Sequence, residues 1–129
     1  MVKRFLLVLI SVAVLDRISK VLAVEFLPYS LNTGTLFGML KGTNLIFILL
    51  TLAIMAVLLY YYFRFVKGSA LGDTGAGLIM GGAIGNLVDR LAYGGVIDFI
   101  DLKFWPSFNL ADSALVIGLC LFAFKNIKK

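Results

Sequence analysis

Two aspartates are the clearest candidates for catalysis in this 129-residue chain. Asp98 follows the segment GGVI at 94–97, and Asp112 follows FNLA at 108–111. An unpaired carboxylate in an apolar setting costs several kcal/mol, so a strongly apolar chain keeps few of them. Two neighbouring carboxylates can share one proton and activate a water, which is the chemistry of aspartic hydrolysis. The pattern therefore predicts a catalytic pair; solvated carboxylates, or a helix cap in the case of Asp112, stay open as alternatives.

A second group of ionisable residues lies in the first apolar run. Asp16 and Lys20 are four residues apart, so they share a helix face and are expected to form an ion pair. Ser19 and Lys20 are neighbours and diverge by about 100° around a helix. They therefore cannot meet as a serine–lysine catalytic pair.

The third apolar run combines small residues with polar ones. Asn86, Asp89 and Arg90 lie near its end, and because Asp89 and Arg90 are adjacent they cannot point the same way. We expect Arg90, with Asn86, to face the other helices and to bind loop carbonyls or a carboxylate. Five glycines of this run are expected to let neighbouring helices approach closely: Gly75, Gly77, Gly81, Gly82 and Gly85.

Residue types exclude some chemistries and leave one rival open. The chain has no histidine and one cysteine, Cys120, which excludes Ser–His and Cys–His pairs and an internal disulfide and disfavours zinc. The rival is a cation site, because four residues offer the oxygen ligands that Mg²⁺ or Ca²⁺ prefers: Asp98, Asp101, Asn109 and Asp112. Activity that survives a chelator would argue against it.

The hydropathy pattern predicts the elements that position these residues. The apolar fraction is 61% and the mean hydropathy is +1.03, well above the roughly 45–50% apolar content of soluble domains. We expect one domain over 1–129, an all-α polytopic membrane protein with helices at about 5–24, 45–65, 74–91 and 110–127. The Gly-rich link at 28–44 suits short strands and turns. The first run also resembles a signal peptide cleaved after Ala13, but it continues past that point, which favours an uncleaved helix.

Charge predicts the orientation. The net charge is +5, and seven basic residues flank the runs at both termini and the middle loop: Lys3, Arg4, Arg64, Lys67, Lys125, Lys128 and Lys129. Of the seven acidic residues only Asp73 accompanies them; the other six are expected toward the opposite side. The positive-inside rule then places both termini in the cytoplasm. The basic excess is an orientation signal and does not indicate nucleic-acid binding.

Five segments occur in an order typical of one family. They are DRISK at 16–20, NTGTLFG at 32–38, GGAIGNLVDR at 81–90, GGVIDF at 94–99 and FNLADS at 108–113. Together they closely resemble the motif series of the bacterial lipoprotein signal peptidases (signal peptidase II), over nearly the whole chain. Arg17 and Leu36 depart from the family pattern, which usually has Gln and Ala there.

The resemblance implies a function and a set of site residues. It implies an aspartic endopeptidase of the bacterial inner membrane, without metal or cofactor, whose link forms a small β-cradle on the outer face. We expect the chain to act as a monomer. Its substrates and partners would be diacylglyceryl-prolipoproteins and membrane lipids; it would cut just before the lipidated cysteine. Asp98 and Asp112 match the catalytic pair. Eight residues match positions that support substrate or dyad: Asp16, Lys20, Asn32, Gly34, Asn86, Arg90, Asn109 and Ala111.

A transport or channel subunit is the alternative from another class. It would use ionisable side chains within the membrane as a proton or ion relay, drawn from Asp16, Lys20, Asp98 and Asp112. A membrane scaffold would leave the carboxylates without a use. The motif series favours the peptidase.

Overall fold

Four helices and two short strands make up the part of the chain that the computed structural model describes, residues 2–34 and 43–127. The helices are α1 (Val2–Phe26), α2 (Asn44–Tyr61, continued by a π-helical turn at Tyr62–Val66), α3 (Ala70–Tyr93) and α4 (Leu110–Ile127). The strands are β1 (Ser30–Asn32) and β2 (Val96–Asp98). All four predicted helices are confirmed as helices.

The third helix begins earlier than hydropathy predicted because its start is set by capping. Ser69 has extended backbone and its hydroxyl accepts the N–H of Gly72 at 3.3 Å, the usual role of an N-cap serine. At the other end Gly94 takes a left-handed conformation (φ 73°) and its N–H reaches the Arg90 carbonyl, as in a glycine-terminated helix. This sharp end directs the chain at once into β2.

The sheet joins two segments that are distant in sequence. β1 pairs antiparallel with β2, so that Ser30 lies opposite Asp98 and Asn32 opposite Val96. The link therefore contains a strand, as predicted, but the partner of that strand follows α3 and does not lie in the link. The rest of the predicted cradle, 35–42 with Leu36, lies outside the described residues.

Glycines let α3 pack between α1 and α4. A Cβ on Gly81 would lie 2.7 Å from the Leu9 carbonyl oxygen of α1, and one on Gly82 would lie 2.6 Å from the Ala111 oxygen of α4. The predicted packing role of the glycines is confirmed, and they serve both neighbouring helices. α3 contributes twelve buried residues and α2 none, so α2 packs least closely and leaves space beside it.

Apolar side chains cover much of the outside. By length and hydropathy alone, two helical stretches among the described residues could cross a membrane, Asn44–Val66 and Leu110–Ile127. α1 and α3 instead carry the fully buried charged residues Asp16, Lys20 and Asp89. The crossing of all four helices stays a prediction.

Candidate active site

The end of β2 and the start of α4 bring Asp98 and Asp112 to the same place. Asp98 ends β2 and is 4% exposed, and Asp112 lies in the first turn of α4 and is half-buried. Asn109, fully buried, connects them: its Nδ2 lies 2.9 Å from Asp98 Oδ1 and its backbone N lies 3.2 Å from Asp112 Oδ2. The structure thus assembles the two aspartates that the sequence singled out.

Asn109, and not Asp112, caps α4. The Asn109 Oδ1 accepts the N–H of Asp112 at 2.9 Å, while Asp112 Oδ2 accepts the N–H of Asn109. This reciprocal pair is a capping box, in which the residue at the third helical position supports the cap. The alternative that Asp112 is itself the N-cap is wrong. Its second oxygen, Oδ1, accepts Nδ2 of Asn86 at 3.0 Å, so both oxygens of this carboxylate are held.

Burial raises the pKa of Asp98 to about 7, and the neighbouring charge of Asp112 adds to this effect. Hydrogen bonds from the Asn32 and Asn109 side chains and the positive charge of Lys20 act in the opposite direction and limit the rise in pKa. Two close carboxylates in a site shielded from water titrate as a pair with separated affinities. The arrangement can therefore hold one proton between the two aspartates near neutral pH.

A buried charge cluster lies directly beneath this pair. Lys20 Nζ lies 2.7 Å from Asp16 Oδ2 and 2.9 Å from Asp89 Oδ2, and all three side chains are fully buried. The predicted Asp16–Lys20 ion pair is confirmed. Lys20 also donates to Asn86 Oδ1 at 3.2 Å, and Arg17 forms a second ion pair with Asp89.

The cluster holds the backbone on the N-terminal side of each aspartate of the pair. Asp16 Oδ1 accepts the N–H of Ala111 at 2.9 Å, and Asp89 Oδ2 accepts the N–H of Ile97 at 3.0 Å. Ala111 and Ile97 are the residues immediately before Asp112 and Asp98. Two buried carboxylates on α1 and α3 thus position the two carboxylates of the candidate site.

Arg90 lies on the other side of α3 and connects it to the link and to α2. Its guanidinium donates to the Gly34 carbonyl at 3.3 Å and to Asn44 Oδ1 at 3.2 Å, and it lies over the Phe47 ring. The predicted bond to a loop carbonyl is confirmed. The N–H of buried Gly34 in turn donates to Asn32 Oδ1 at 3.0 Å.

Sequence reasoning missed the roles of three residues. Asp89 was not assigned as a buried partner of Lys20, Arg17 was noted only as a departure from a pattern, and Asn44 was not noted. A signal existed for Asp89 and Arg17: residues 17 and 20 can both reach one neighbouring helix, and buried cations need carboxylates. No local signal marked Asn44, because its partner Arg90 is 46 positions away.

The cation site that the sequence left open as a rival is not assembled. Asp101 is exposed and forms an ion pair with Lys103 at 3.0 Å. Hydrogen bonds from Lys103 lower the pKa of the Asp101 carboxyl. Within residues 2–34 and 43–127, no group of three or more His, Cys, Asp or Glu side chains is placed to hold a metal ion.

A groove between α2, α3 and α4, named here the α2–α4 groove, leads from the site along the bundle. Near the aspartates it has a volume of about 180 Å³ and is lined by Thr51, Asn86, Arg90 and Leu115 among others. It continues as an apolar groove of about 430 Å³, and both parts share Ile54, Leu58 and Ile79. The far part reaches Tyr61 and Phe122.

Fold and site together define a helical membrane protein with a pair of aspartates at one end of the bundle, and comparisons with known proteins agree. Residues 8–128 match the family model described as signal peptidase (SPase) II. The chain is 44% identical to a lipoprotein signal peptidase of Halothermothrix orenii over 90% of this chain and 79% of the relative. For one of Thermodesulfovibrio yellowstonii the identity is 43%, covering 92% and 90%.

Solved structures show the same architecture. A bacterial membrane enzyme solved by the in meso method matches with a TM-score of 0.87 and 27% identity, covering 96% of this chain and 87% of that one. A second matches with a TM-score of 0.85 and 25% identity, covering 97% and 93%. The chain belongs to the signal peptidase II family. It is a membrane peptidase.

Proposed function

We propose that this peptidase removes the signal peptides of diacylglyceryl-modified prolipoproteins by aspartic catalysis and cuts just before the lipidated cysteine. The observation that carries the proposal is the joint attachment of Asp98 and Asp112 to Asn109, with Asp98 buried. The names of the relatives support the substrate class. The proposed reaction uses water and the two carboxylates, without a metal or cofactor.

The surroundings of the two aspartates support different roles for them. Both accept hydrogen bonds, but Asp112 is half-buried whereas Asp98 is 4% exposed, so water reaches Asp112 more easily and its ionised form is the better solvated of the two. Asp98, with its pKa near 7, carries the shared proton. Asp112 then takes a proton from water as the water attacks the scissile carbonyl, and Asp98 donates a hydrogen bond to the carbonyl oxygen. On collapse of the tetrahedral intermediate, the proton on Asp112 passes to the leaving amine.

The α2–α4 groove is suited to the signal helix. It is apolar along the bundle and ends at Asn86 and Arg90 beside the site. Because none of the residues of α2 is buried, a substrate helix can enter from the lipid between α2 and α4. The scissile bond would then lie at the polar end, next to Asp112.

The distribution of charge supports the orientation of a four-crossing chain with both termini in the cytoplasm. Lys125 donates to the Phe65 carbonyl at 3.4 Å and Phe5 stacks on Tyr62. The first helix, the middle turn and the last helix therefore share one end, which carries the basic residues. Asp73 at that end is buried and accepts the Tyr62 hydroxyl at 2.9 Å. The aspartate pair then faces the outer side of the inner membrane, and one copy of the chain forms the site.

Cleavage of a purified diacylglyceryl-prolipoprotein in detergent, with and without chelator, tests the proposal. We expect Asp98→Asn and Asp112→Asn each to lower the rate by about 10²–10⁴-fold, with no effect of chelator on the wild type. Asp101→Asn is the matched control, because this exposed carboxylate pairs only with Lys103 among the described residues. Folded dyad variants that still cut before the cysteine would show that the two carboxylates are structural.

A further inference from the structure

Arg17 is the partly exposed member of the charge cluster beneath the aspartate pair. The side chains of Asp16, Lys20 and Asp89 are fully buried, whereas that of Arg17 is 31% exposed. Two carboxylates and one ammonium leave one excess negative charge, and the Arg17 guanidinium cancels it through its ion pair with Asp89. The family pattern usually has an uncharged glutamine at this position, so the fourth charge is an addition in this chain.

The bonds of the cluster are divided between the two oxygens of Asp89. Arg17 binds Oδ1, while Oδ2 lies 2.9 Å from Lys20 Nζ and accepts the N–H of Ile97 at 3.0 Å. Ile97 directly precedes Asp98, so a single buried carboxylate connects Arg17 to the aspartate pair. Because water does not reach that carboxylate, the loss of one of its cations is felt strongly by neighbouring groups.

The exposed part of Arg17 lines a groove of about 500 Å³ beside α1. Glu25 belongs to the same lining, and its negative charge would repel an anionic ligand. Glu25, Tyr29 and Tyr93, the titratable groups that line this groove together with Arg17 and Lys20, are exposed, so water and salt screen them. The partner of the guanidinium is therefore Asp89.

Charged groups from three helices face Asp98. Burial raises the pKa of Asp98 and the charge of Asp112 adds to this rise, while the charge of Lys20 lowers the pKa. Arg90 also interacts electrostatically with Asp98. With the rest of the cluster, the surrounding set contains three carboxylates and three cations: Asp16, Asp89, Asp112, Arg17, Lys20 and Arg90. Without Arg17 the set would be negative, which favours a proton on Asp98.

We propose that Arg17 is a positioning residue for the aspartate pair: through Asp89 it completes the charge balance of the buried cluster and thereby sets the upper pH limit at which the pair keeps its shared proton. This inference rests on the proposed function. Two charges about 10 Å apart at an effective dielectric constant of about 20 change each other's pKa by about one unit. The partial exposure of Arg17 reduces this effect to roughly half a unit.

The pH profile of kcat/KM for prolipoprotein cleavage tests the assignment. Arg17→Gln keeps an amide donor for Asp89 but removes the charge, and we expect the alkaline limb to move to higher pH by roughly 0.5–1 unit. Arg17→Lys keeps the charge and should keep the wild-type limb. Lys103→Gln is the matched control, because it removes one positive charge from an ion pair whose lysine is 87% exposed, and its limb should not move.

A double variant separates the charge of Arg17 from its contribution to structure. Arg17→Gln combined with Asp89→Asn again leaves a neutral cluster, formed by Asp16 and Lys20, and the amide oxygen at position 89 can still accept the N–H of Ile97. Its alkaline limb should therefore return to the wild-type position. A limb that stays where Arg17→Gln has it would show that the charge balance does not control the pair.

A measurement without turnover keeps this test separate from the proposed function. The NMR resonance of the Asp98 carboxyl carbon, identified by its absence from Asp98→Asn, reports protonation in micelles, and its midpoint should be higher in Arg17→Gln than in the wild type. Equal midpoints in these two proteins, or a midpoint in Arg17→Lys that equals that of Arg17→Gln, would overturn the proposal. A wild-type enzyme that does not cut the prolipoprotein would instead refute the proposed function, while the titration would still decide the role of Arg17.

Discussion

Replacing Lys20 with methionine should destabilise this protein more than any exposed charge change. Lys20 Nζ lies 2.7 Å from Asp16 Oδ2 and 2.9 Å from Asp89 Oδ2, and the three side chains are fully buried. Methionine keeps a long apolar side chain but leaves two carboxylates without their common cation. Asp89 keeps Arg17 as a partner, so the unpaired charge is left on Asp16.

The expected cost follows from burial. Removing one partner of a buried ion pair typically costs about 3–5 kcal/mol, because the remaining charge has neither water nor a counter-ion. Adding Asp16→Asn to Lys20→Met removes the unpaired charge, and the amide oxygen can still accept the N–H of Ala111. The double variant should therefore recover stability, with a coupling energy on the order of 1–3 kcal/mol.

Unfolding in mixed micelles with increasing dodecyl sulfate, followed by far-ultraviolet circular dichroism, measures these differences. Lys103→Met is the matched control, because the Lys103–Asp101 pair has a similar distance of 3.0 Å but an 87% exposed lysine; exposed pairs contribute little, so its midpoint should not move. Equal midpoints for Lys20→Met and Lys103→Met would refute the reasoning. So would a double variant that is less stable than Lys20→Met.

Three further perturbations have defined outcomes. Asn109→Ser keeps a capping side chain but removes the amide donor that lowers the pKa of Asp98. The pKa of Asp98 should then rise above about 7, and the alkaline limb of the kcat/KM profile should move to higher pH. An unmoved limb would show that Asp98 does not carry the essential proton. Folding raises the pKa of Asp98 from 3.8 to about 7. The protonated carboxyl therefore adds its full contribution to the free energy of unfolding below about pH 4, and this contribution is lost as pH rises through 7. Thermal unfolding should therefore show Asp98→Asn gaining stability over wild type as pH rises from 5 to 8, and a constant difference would contradict the shift. Gly81→Ala improves helix propensity by about 1 kcal/mol, but the new Cβ would lie 2.7 Å from both the Leu9 oxygen and Val12 Cβ. We expect a net loss of stability in the same micelle titration. A gain would mean that α1 shifts freely.

Local sequence patterns were sufficient for the helices and for the choice of the aspartates. A helix of apolar residues forms its backbone hydrogen bonds within itself, so runs such as 110–127 predict their own conformation. The Asp16–Lys20 pair follows from the same local geometry, because residues four apart share a face. Asp98 and Asp112 could be singled out because carboxylates are rare in an apolar chain.

The partners across the bundle could not be predicted in this way. Whether β1 pairs within the link or with the segment after α3 depends on where α3 ends, which Gly94 determines. The capping role of Asn109 was missed although the predicted start of α4, Leu110, is the observed one. Asn and Asp are equally good N-cap residues, and only the contacts in the structure show that Asn109 caps the helix while Asp112 supports the cap.

The sequence by itself determined the helices, the glycine faces of α3 and the identity of the two aspartates, since each depends on interactions within a few turns of one helix or on residue type alone. The tertiary structure decided that Lys20 shares its charge between Asp16 and Asp89, and that these two carboxylates hold the N–H groups of Ala111 and Ile97. These contacts join positions up to 95 residues apart. They form only when the packing of α1 and α4 against α3 removes the charges from water, so that bonding capacity left over on one helix must be filled by a group from another element.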